Sequence, residues 1–393
     1  MRICLFSDTI GDLNGVSRFI QDMAENALVN GDELHVITST AKYCPVASNI
    51  HNFAPSFRIN MPYYKELDIA FAPSKAITSF VESLQPDIIH VSTPGPVGLL
   101  GRKYAKKKGI TLLGTYHTDF PAYIRDNTGS DFFKRLTDRW MKNFYKEFVH
   151  VFSRSDQYHQ IMQDDIGIAA EKISYIPAGT NLERFSPKHK DDAIWSNLNI
   201  SSDSVKVLYV GRITKEKSLP FLLEVWQNLK SRYFQLNAEL ILVGEGNLKK
   251  QAQALQSFGV HYLGPIIGSE LSSIYASSDI FIFPSLTDTL GQVVMESAAS
   301  GLPVLVSSIG GPKTLLNVSD PNGYVIKENH LRVWVDTLAK VIQEENLRLK
   351  LGKSSHLHMQ SFDIRDSYQA FWEVHKGYYK EPRELHLCHK NIT

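Results

Sequence analysis

Between Asp279 and Val304 the chain reads DIFIFPSLTDTLGQVVMESAASGLPV, and two acids in it, Asp288 and Glu296, stand eight residues apart. Ile280-Phe281-Ile282-Phe283 is an apolar run of strand length that Pro284 ends. Ser285 to Thr289 is a polar turn. Gly291 opens a helical pattern through Val293, Val294, Ser297 and Ala298, and Gly301-Leu302-Pro303 closes it before the next strand. A strand feeding a helix N-terminus makes an anion site, because the first backbone N–H groups and the helix dipole point the same way. At a rise of about 1.5 Å per residue, the two carboxylates lie about 12 Å apart along the axis. That is too far for a pair that cleaves a glycosidic bond, where roughly 5 to 9.5 Å is needed. It is about the span from the hexose to the ribose of a sugar nucleotide. The spacing points to two hydroxyl-binding carboxylates with a diphosphate between them.

Cations for that diphosphate stand in Val210-Gly-Arg-Ile-Thr-Lys-Glu-Lys217, which follows one strand and precedes a helix. Gly211 lets the backbone turn. Arg212 offers a planar fork and Lys217 a point charge, and positive charge there would stabilise a departing diphosphate. The plainer reading is a solvated loop of surface charges. His117 ends a strand in Thr115-Tyr-His-Thr-Asp-Phe-Pro121. It is either a sugar contact near a reacting carbon, with Asp119 as polar neighbour, or a histidine satisfied by one hydrogen bond. No nucleophile–base–orienter set surrounds it. Gly15, in Asp12-Leu-Asn-Gly-Val-Ser17, allows close backbone approach to a phosphate, with Ser17 or Asn14 as helix cap. Gly244, in Gly244-Glu-Gly246, either brings a nucleobase or ribose near the backbone or makes a simple turn.

These residues need a scaffold that collects strand ends. Strand-like runs are read at Ile3–Ser7, Leu34–Thr38, Asp87–Val91, Leu112–Tyr116 and Val149–Phe152, then at Lys206–Val210, Ala238–Val243, Gly259–Leu263, Ile280–Phe283 and Pro303–Val306. Helical patterns lie between them, such as Ser17–Val29, Ser74–Leu84, Phe221–Ser231 and Leu248–Phe258. Such alternation predicts α/β architecture in two doubly wound domains whose loop sites face a central cleft. The expected division is 1–185 for the first domain, 186–204 for a linker, 205–361 for the second domain and 381–393 for a loose tail. A last helix at 362–380 completes the first domain. A nicotinamide enzyme would need G-x-G-x-x-G after its first strand, and neither the Asp8–Gly15 loop nor Gly244-Glu-Gly246 supplies that spacing.

A chain of 393 residues suits two domains, and its net charge of +1 argues against nucleic acid as a partner. From Gly98 to Arg154, however, 12 Lys/Arg face 5 Asp/Glu. This window mixes rings with bases, including Tyr123, Phe132, Phe133, Arg135, Trp140, Lys142, Phe144 and Lys146. One reading is a peripheral contact with an anionic membrane, the other a core stripe with a solvated outer face. Cys4, Cys44 and Cys388 lie far apart and form no metal or disulfide pattern. With no secretory signal read at Met1-Arg2, the expectation is a cytoplasmic protein, peripheral on the inner face of the cytoplasmic membrane.

The ordered series FSDTIGDLNGVSRFIQ, TYHTDFPAY, IPAGTNLERFSP, VGRITKEKS, LVGEGNLKK, YLGPI and SLTDTLGQVVMESAASGLPV resembles the GT-B glycosyltransferases of family 4 over most of the chain. TYHTDFPAY and TDTLGQVVMESAASGLPV most resemble the glycolipid transferases of that family. These include GDP-mannose-dependent α-mannosyltransferases and sulfoquinovosyltransferases. The resemblance implies retaining transfer of a hexose from a nucleotide-sugar, mannose from GDP-mannose first, to a lipid or glycan acceptor, with no metal and no cofactor. It implies Arg212 and Lys217 on the diphosphate, Glu296 on the ribose, and Asp288 on the donor sugar as the first acid of the family's E-x7-E pattern. It places His117 near the donor sugar and makes Gly15 the first-loop glycine. Backbone N–H groups of Thr289, Leu290, Gly291 and Gln292 would meet sugar and phosphate, and Ile266, after Gly264-Pro265, the base. The chain departs from the pattern at three places. Asp288 is one methylene shorter than the usual glutamate, Ser218 stands where glycine or asparagine is common, and Asn181 replaces an aspartate. The alternatives are a UDP-sugar-dependent glycolipid transferase using glucose or sulfoquinovose, a sugar-nucleotide epimerase of the same fold, and a non-catalytic nucleotide-binding member.

Overall fold

The computed structural model describes residues 1–12, 14–61 and 64–379; the expected tail 381–393, with Cys388, lies outside them. The chain forms two compact units. Unit 1 takes Met1–Gly11, Met23–Tyr175 and the chain from Gln369, and unit 2 takes Asp12–Asp22 and Ile176–Tyr368.

The strands of unit 1 are β1 (Arg2–Phe6), β2 (Glu33–Thr38), β3 (Ile50–Asn52), β4 (Phe57–Met61), β5 (Tyr64–Phe71), β6 (Ile88–Val91), β7 (Thr111–Tyr116), β8 (His150–Ser153) and β9 (Ile173–Tyr175). Seven of them build one sheet in the order β3-β2-β1-β6-β7-β8-β9, parallel throughout, and β4 and β5 pair antiparallel apart from it. β6 reads Ile-Ile-His-Val and is buried along its whole length, as a strand covered by helices on both faces must be.

Unit 2 continues with β10 (Val205–Val210), β11 (Ala238–Val243), β12 (Val260–Gly264), β13 (Ile280–Phe283), β14 (Val304–Ser307) and β15 (Gly323–Ile326). They form a parallel sheet in the order β12-β11-β10-β13-β14-β15. Its core is built on Trp226, Trp334, Tyr209, Tyr275, Phe281 and Phe283. The expected linker 186–204 is packed into this unit. Ile194, Trp195 and Ile200 are buried in the same core, and the Trp195 indole N–H donates to the Ser277 carbonyl at 2.8 Å. The helix Ile364–Tyr378 divides between the units at Tyr368.

In both sheets strand order reverses once, between β1 and β6 and between β10 and β13. Loops that leave parallel strands at such a reversal diverge and open a crevice at the strand C-termini. That geometry singles out the loops after β10 and β13 in unit 2, and those after β1 and β6 in unit 1.

Candidate functional site

The loop after β10 carries Arg212 and Lys217, and the loop after β13 carries Asp288 to Gly291. The fold therefore brings together the cations and the first acid at the unit 2 crevice. Lys217, although a lysine, is buried, and its Nζ donates to Asp288 Oδ1 at 2.7 Å. Asp288 Oδ2 is buried too and takes no hydrogen bond from the described residues. Arg212 Nη1 lies 2.5 Å from Glu216 Oε1, and the Arg212 carbonyl accepts from the Tyr209 hydroxyl at 2.9 Å. Ser218 adopts φ +58° and starts the helix Leu219–Arg232 from a left-handed turn.

The helix Gln292–Ala299 begins beside the same crevice. Gly291 precedes it at φ +81°, and a Cβ there would meet the Pro312 ring at 2.8 Å. Left-handed backbone and lack of space together demand glycine. Gly15 starts the helix Gly15–Asn30, and a Cβ on it would lie 3.6 Å from the Gln292 Cβ, so two helix starts adjoin. Asn14, rather than Ser17, supplies the cap: its Oδ1 accepts from the Ser17 N–H at 2.9 Å.

Glu296 sits one turn inside its helix and is buried. Its Oε2 accepts from the Tyr275 hydroxyl at 3.0 Å, and Arg18 Nε stands 3.8 Å from Oε1. Burial pushes this carboxyl up to about 7, while the Arg18 cation and the Tyr275 hydrogen bond hold it down. Asp22 and Arg184, themselves paired at 3.2 Å, add a smaller opposed pair of charges. Sequence reasoning missed Arg18 and Tyr275. Arg18 is recoverable, three residues beyond Gly15 on the first turn of its helix. Tyr275 carries no local signal, since only the packing of the helix Gly268–Ser277 aims it at Glu296.

Also missed was Gly310-Gly311. A Cβ on Gly311 would stand 1.8 Å from the Thr289 carbonyl oxygen, and the Gly311 N–H donates to the Asp288 carbonyl at 2.8 Å. The loop after β14 thus holds the backbone of Asp288, Thr289 and Leu290 in place. Gly244 has a comparable task. A Cβ on it would meet the Gly211 carbonyl oxygen at 1.9 Å, and the Ile213 N–H donates to the Glu245 carbonyl at 2.9 Å. The space saved at Gly244 is filled by the Arg212 loop. Ile266 follows β12 and is partly buried against the unit 2 core.

His117 belongs to unit 1, just past β7. Its Nε2 lies 2.9 Å from Ser92 Oγ. Burial, and then the Arg154 cation, hold the imidazole down at about 3, so it is neutral at ordinary pH. Asp119 is a helix cap, accepting from the Ala122 N–H at 3.1 Å. At the unit 1 reversal the Asp8 carboxylate accepts from the Val97 N–H at 2.7 Å and from the Thr93 hydroxyl at 2.7 Å. The protein's own carboxylate thus occupies the start of the helix Pro96–Lys108, the position an anion would take. Among the described residues no three His, Cys, Asp or Glu side chains cluster as metal ligands would.

Two family models match the chain in succession: Glycosyltransferase Family 4 over residues 13–184 and Glycosyl transferases group 1 over residues 191–357. The chain belongs to the family 4 glycosyltransferases. This glycosyltransferase is 27% identical to the sulfoquinovosyl transferase SQD2 of Arabidopsis thaliana over 372 residues, 92% of this chain and 69% of SQD2. It is 24% identical to the GDP-mannose-dependent alpha-mannosyltransferase of Mycobacterium tuberculosis, covering 80% of this chain and 81% of that one. The crystal structure of Anabaena HepE with UDP and glucose superposes with a TM-score of 0.73 at 16% identity, over 96% of this chain and 99% of HepE. The glycosyltransferase has the GT-B fold, and its two parallel sheets agree with that.

Proposed function

We propose that this glycosyltransferase moves a hexose, with retention, from a nucleoside diphosphate sugar to a lipid or glycan acceptor, and that unit 2 binds the donor. The observation that carries the reading is the pair of loops flanking the β10–β13 crevice, one with Arg212 and Lys217, the other with Asp288 and the Gly291 helix start. A diphosphate there meets a guanidinium, an ammonium and a helix dipole. Glu296 would accept from the ribose hydroxyls and Asp288 from those of the sugar. Backbone N–H groups from Thr289 to Gln292 would complete the cradle, and the stretch at Gly244 and Ile266 would border the base. His117, in unit 1, is neutral, bound to Ser92 and far too weak a base for proton abstraction. The leaving diphosphate would itself receive the acceptor's proton on the face it departs from, and catalysis would rest on positioning and charge stabilisation.

Mannose from GDP-mannose is the first choice of donor, supported by the motif resemblance and the mycobacterial relative. A UDP-sugar is the second, supported by the likeness to HepE. A panel of GDP- and UDP-sugars, assayed for binding, hydrolysis and transfer to lipid extracts, decides between them. Glu296→Ala is expected to weaken donor binding by about 1.5–3 kcal/mol through a lost charged hydrogen bond. Unchanged affinity in a folded variant removes Glu296 from the ribose. Isomerised donor without acceptor would mean an epimerase, and binding without turnover a non-catalytic member.

A lipid acceptor gains support from the helix Asp131–Tyr145. Phe144 and Tyr145 are buried, but Phe132 is 63% and Leu136 55% exposed, with Phe133 and Trp140 also outward. The aromatic stripe thus divides into a core half and a surface half, and Arg135, Arg139, Lys142 and Lys146 are interleaved with it. Rings and bases together suit a peripheral contact with an anionic membrane, at about 1 kcal/mol per basic residue near the surface. No described helix is long and apolar enough to cross a membrane. Replacing Lys142 and Lys146 together is expected to reduce sedimentation with anionic vesicles. Indifference to that change would rule out this patch.

A further inference from the structure

At the unit 2 crevice each cation already has an anion of the protein. Asp288 Oδ1 holds Lys217 Nζ at 2.7 Å, and Glu216 Oε1 stands 2.5 Å from Arg212 Nη1. The two pairs are not equivalent. Glu216 Oε1 is shielded while Arg212 covers it, but the side chain is about one-third exposed, so water can reach it when Arg212 turns to a phosphate. Lys217 and Asp288 are more enclosed, at 11% and 20% against 26% and 31% for Arg212 and Glu216, and Asp288 Oδ2, the oxygen turned away from Lys217, lacks a donor already. If Lys217 turns to a diphosphate, Asp288 is left as a shielded carboxylate short of hydrogen bonds, which is costly.

We propose that the Lys217–Asp288 pair is an internal competitor for the diphosphate, and that it discriminates the sugar-linked nucleotide from the free nucleoside diphosphate. The proposal rests on the reading that this crevice takes the diphosphate. A donor sugar brings hydroxyl groups that donate to Asp288 as Lys217 leaves it. A free nucleoside diphosphate brings none. Its terminal phosphate also loses a second proton near pH 6, so it carries about one more negative charge at pH 7.5. The cost of separating the pair therefore falls on the product. Once the sugar has gone, Asp288 recaptures Lys217 and the nucleotide is expelled.

The test is calorimetric titration at pH 7.5 of the wild type, Asp288→Asn and Glu216→Gln with UDP, UDP-glucose, GDP and GDP-mannose, comparing free and sugar-linked forms of whichever base binds. Asp288→Ser repeats the charge removal should the asparagine variant fold poorly. Loss of the Asp288 charge is expected to tighten the free diphosphate about tenfold, the low end for a charged hydrogen bond. The sugar-linked form should gain nothing or weaken, so discrimination collapses. Glu216→Gln is expected to change both affinities by a common factor. The proposal is overturned if Asp288→Asn shifts both forms equally or weakens the free diphosphate. Lys217→Ala separates the two levels of argument. If it leaves both affinities unchanged, or if the wild type binds none of the four ligands, the reading of the crevice fails and the proposal with it.

Discussion

At the scale of single residues, charge is managed by neighbours that no motif contains. Glu296 has the most demanding position, a carboxylate buried inside a helix and, on the proposed reading, the acceptor for the ribose hydroxyls. Burial pushes it up to about 7 against the opposing pull of Arg18 and Tyr275. Its accepting form is therefore populated above that pH and lost below it. Donor affinity is expected to fall as pH drops from 8 to 6, by at most about tenfold per unit for one proton. Tyr275→Phe removes a hydrogen bond that favours the ionised form, so the midpoint should move to higher pH. A general packing defect would lower affinity equally at all pH values. Titrating both proteins with donor across that range distinguishes the two, and coincident pH profiles would exclude a role for Tyr275.

At the scale of elements, the site is a set of loops that fix one another through backbone. Gly311 shows how tightly. With 1.8 Å between its notional Cβ and the Thr289 carbonyl, Gly311→Ala must push the Asp288–Gly291 loop aside. A shift of that kind costs about 1–3 kcal/mol. The thermal transition should drop, and donor affinity should drop with it, because the same loop presents the helix start. A variant with unchanged donor affinity would show that this loop does not touch the ligand. The limits of sequence reading follow the same line. Ten strands were legible as continuous apolar runs, and Ser74–Leu84 was legible to the residue. Short edge strands were not: β3 reads Ile-His-Asn and β9 Ile-Ser-Tyr, too brief for any periodicity. That Arg212, Lys217 and Asp288 follow strand ends and that Glu296 lies in the helix after Gly291 was readable, because those spacings are local. The partners Tyr275, Arg18 and Gly311 were not, since they reach the site only through tertiary packing.

At the scale of the whole molecule, one strand order serves twice, and unit 1 spends its version on internal structure. Asp8 fills its helix start, and buried histidines tie its sheet to the end of the last helix. His375 Nδ1 lies 2.7 Å from the Phe371 carbonyl, so it must donate, and His375 Nε2 must accept from His90 Nδ1 at 3.1 Å. His90 Nε2 then accepts from the Thr115 hydroxyl at 3.0 Å. Every ring in this chain is neutral, and burial is what disfavours a proton on either. Burial, first among the causes, holds His375 and His117 down at about 3 and His90 well below its ordinary value. The unfolded chain, with histidines near 6.5, binds more protons than the folded one between that pH and about 3. Stability from these groups is thus complete above pH 6.5 and lost as pH falls through the window. Glu296 has the opposite sign: its folded value of about 7 exceeds the unfolded 4.5, so its contribution weakens as pH rises toward 7. Glu296 belongs to unit 2; in unit 1 the carboxyls of Asp8 and Asp119, pushed up by burial, oppose these three histidines, which outnumber them, and acid should destabilise unit 1. His117→Asn removes one titrating ring, so the slope of unfolding free energy against pH between 6.5 and 4 should fall by about 1.4 kcal/mol per unit. Urea unfolding at a series of pH values measures that slope, and a variant as steep as the wild type would mean that His117 already titrates normally in the fold.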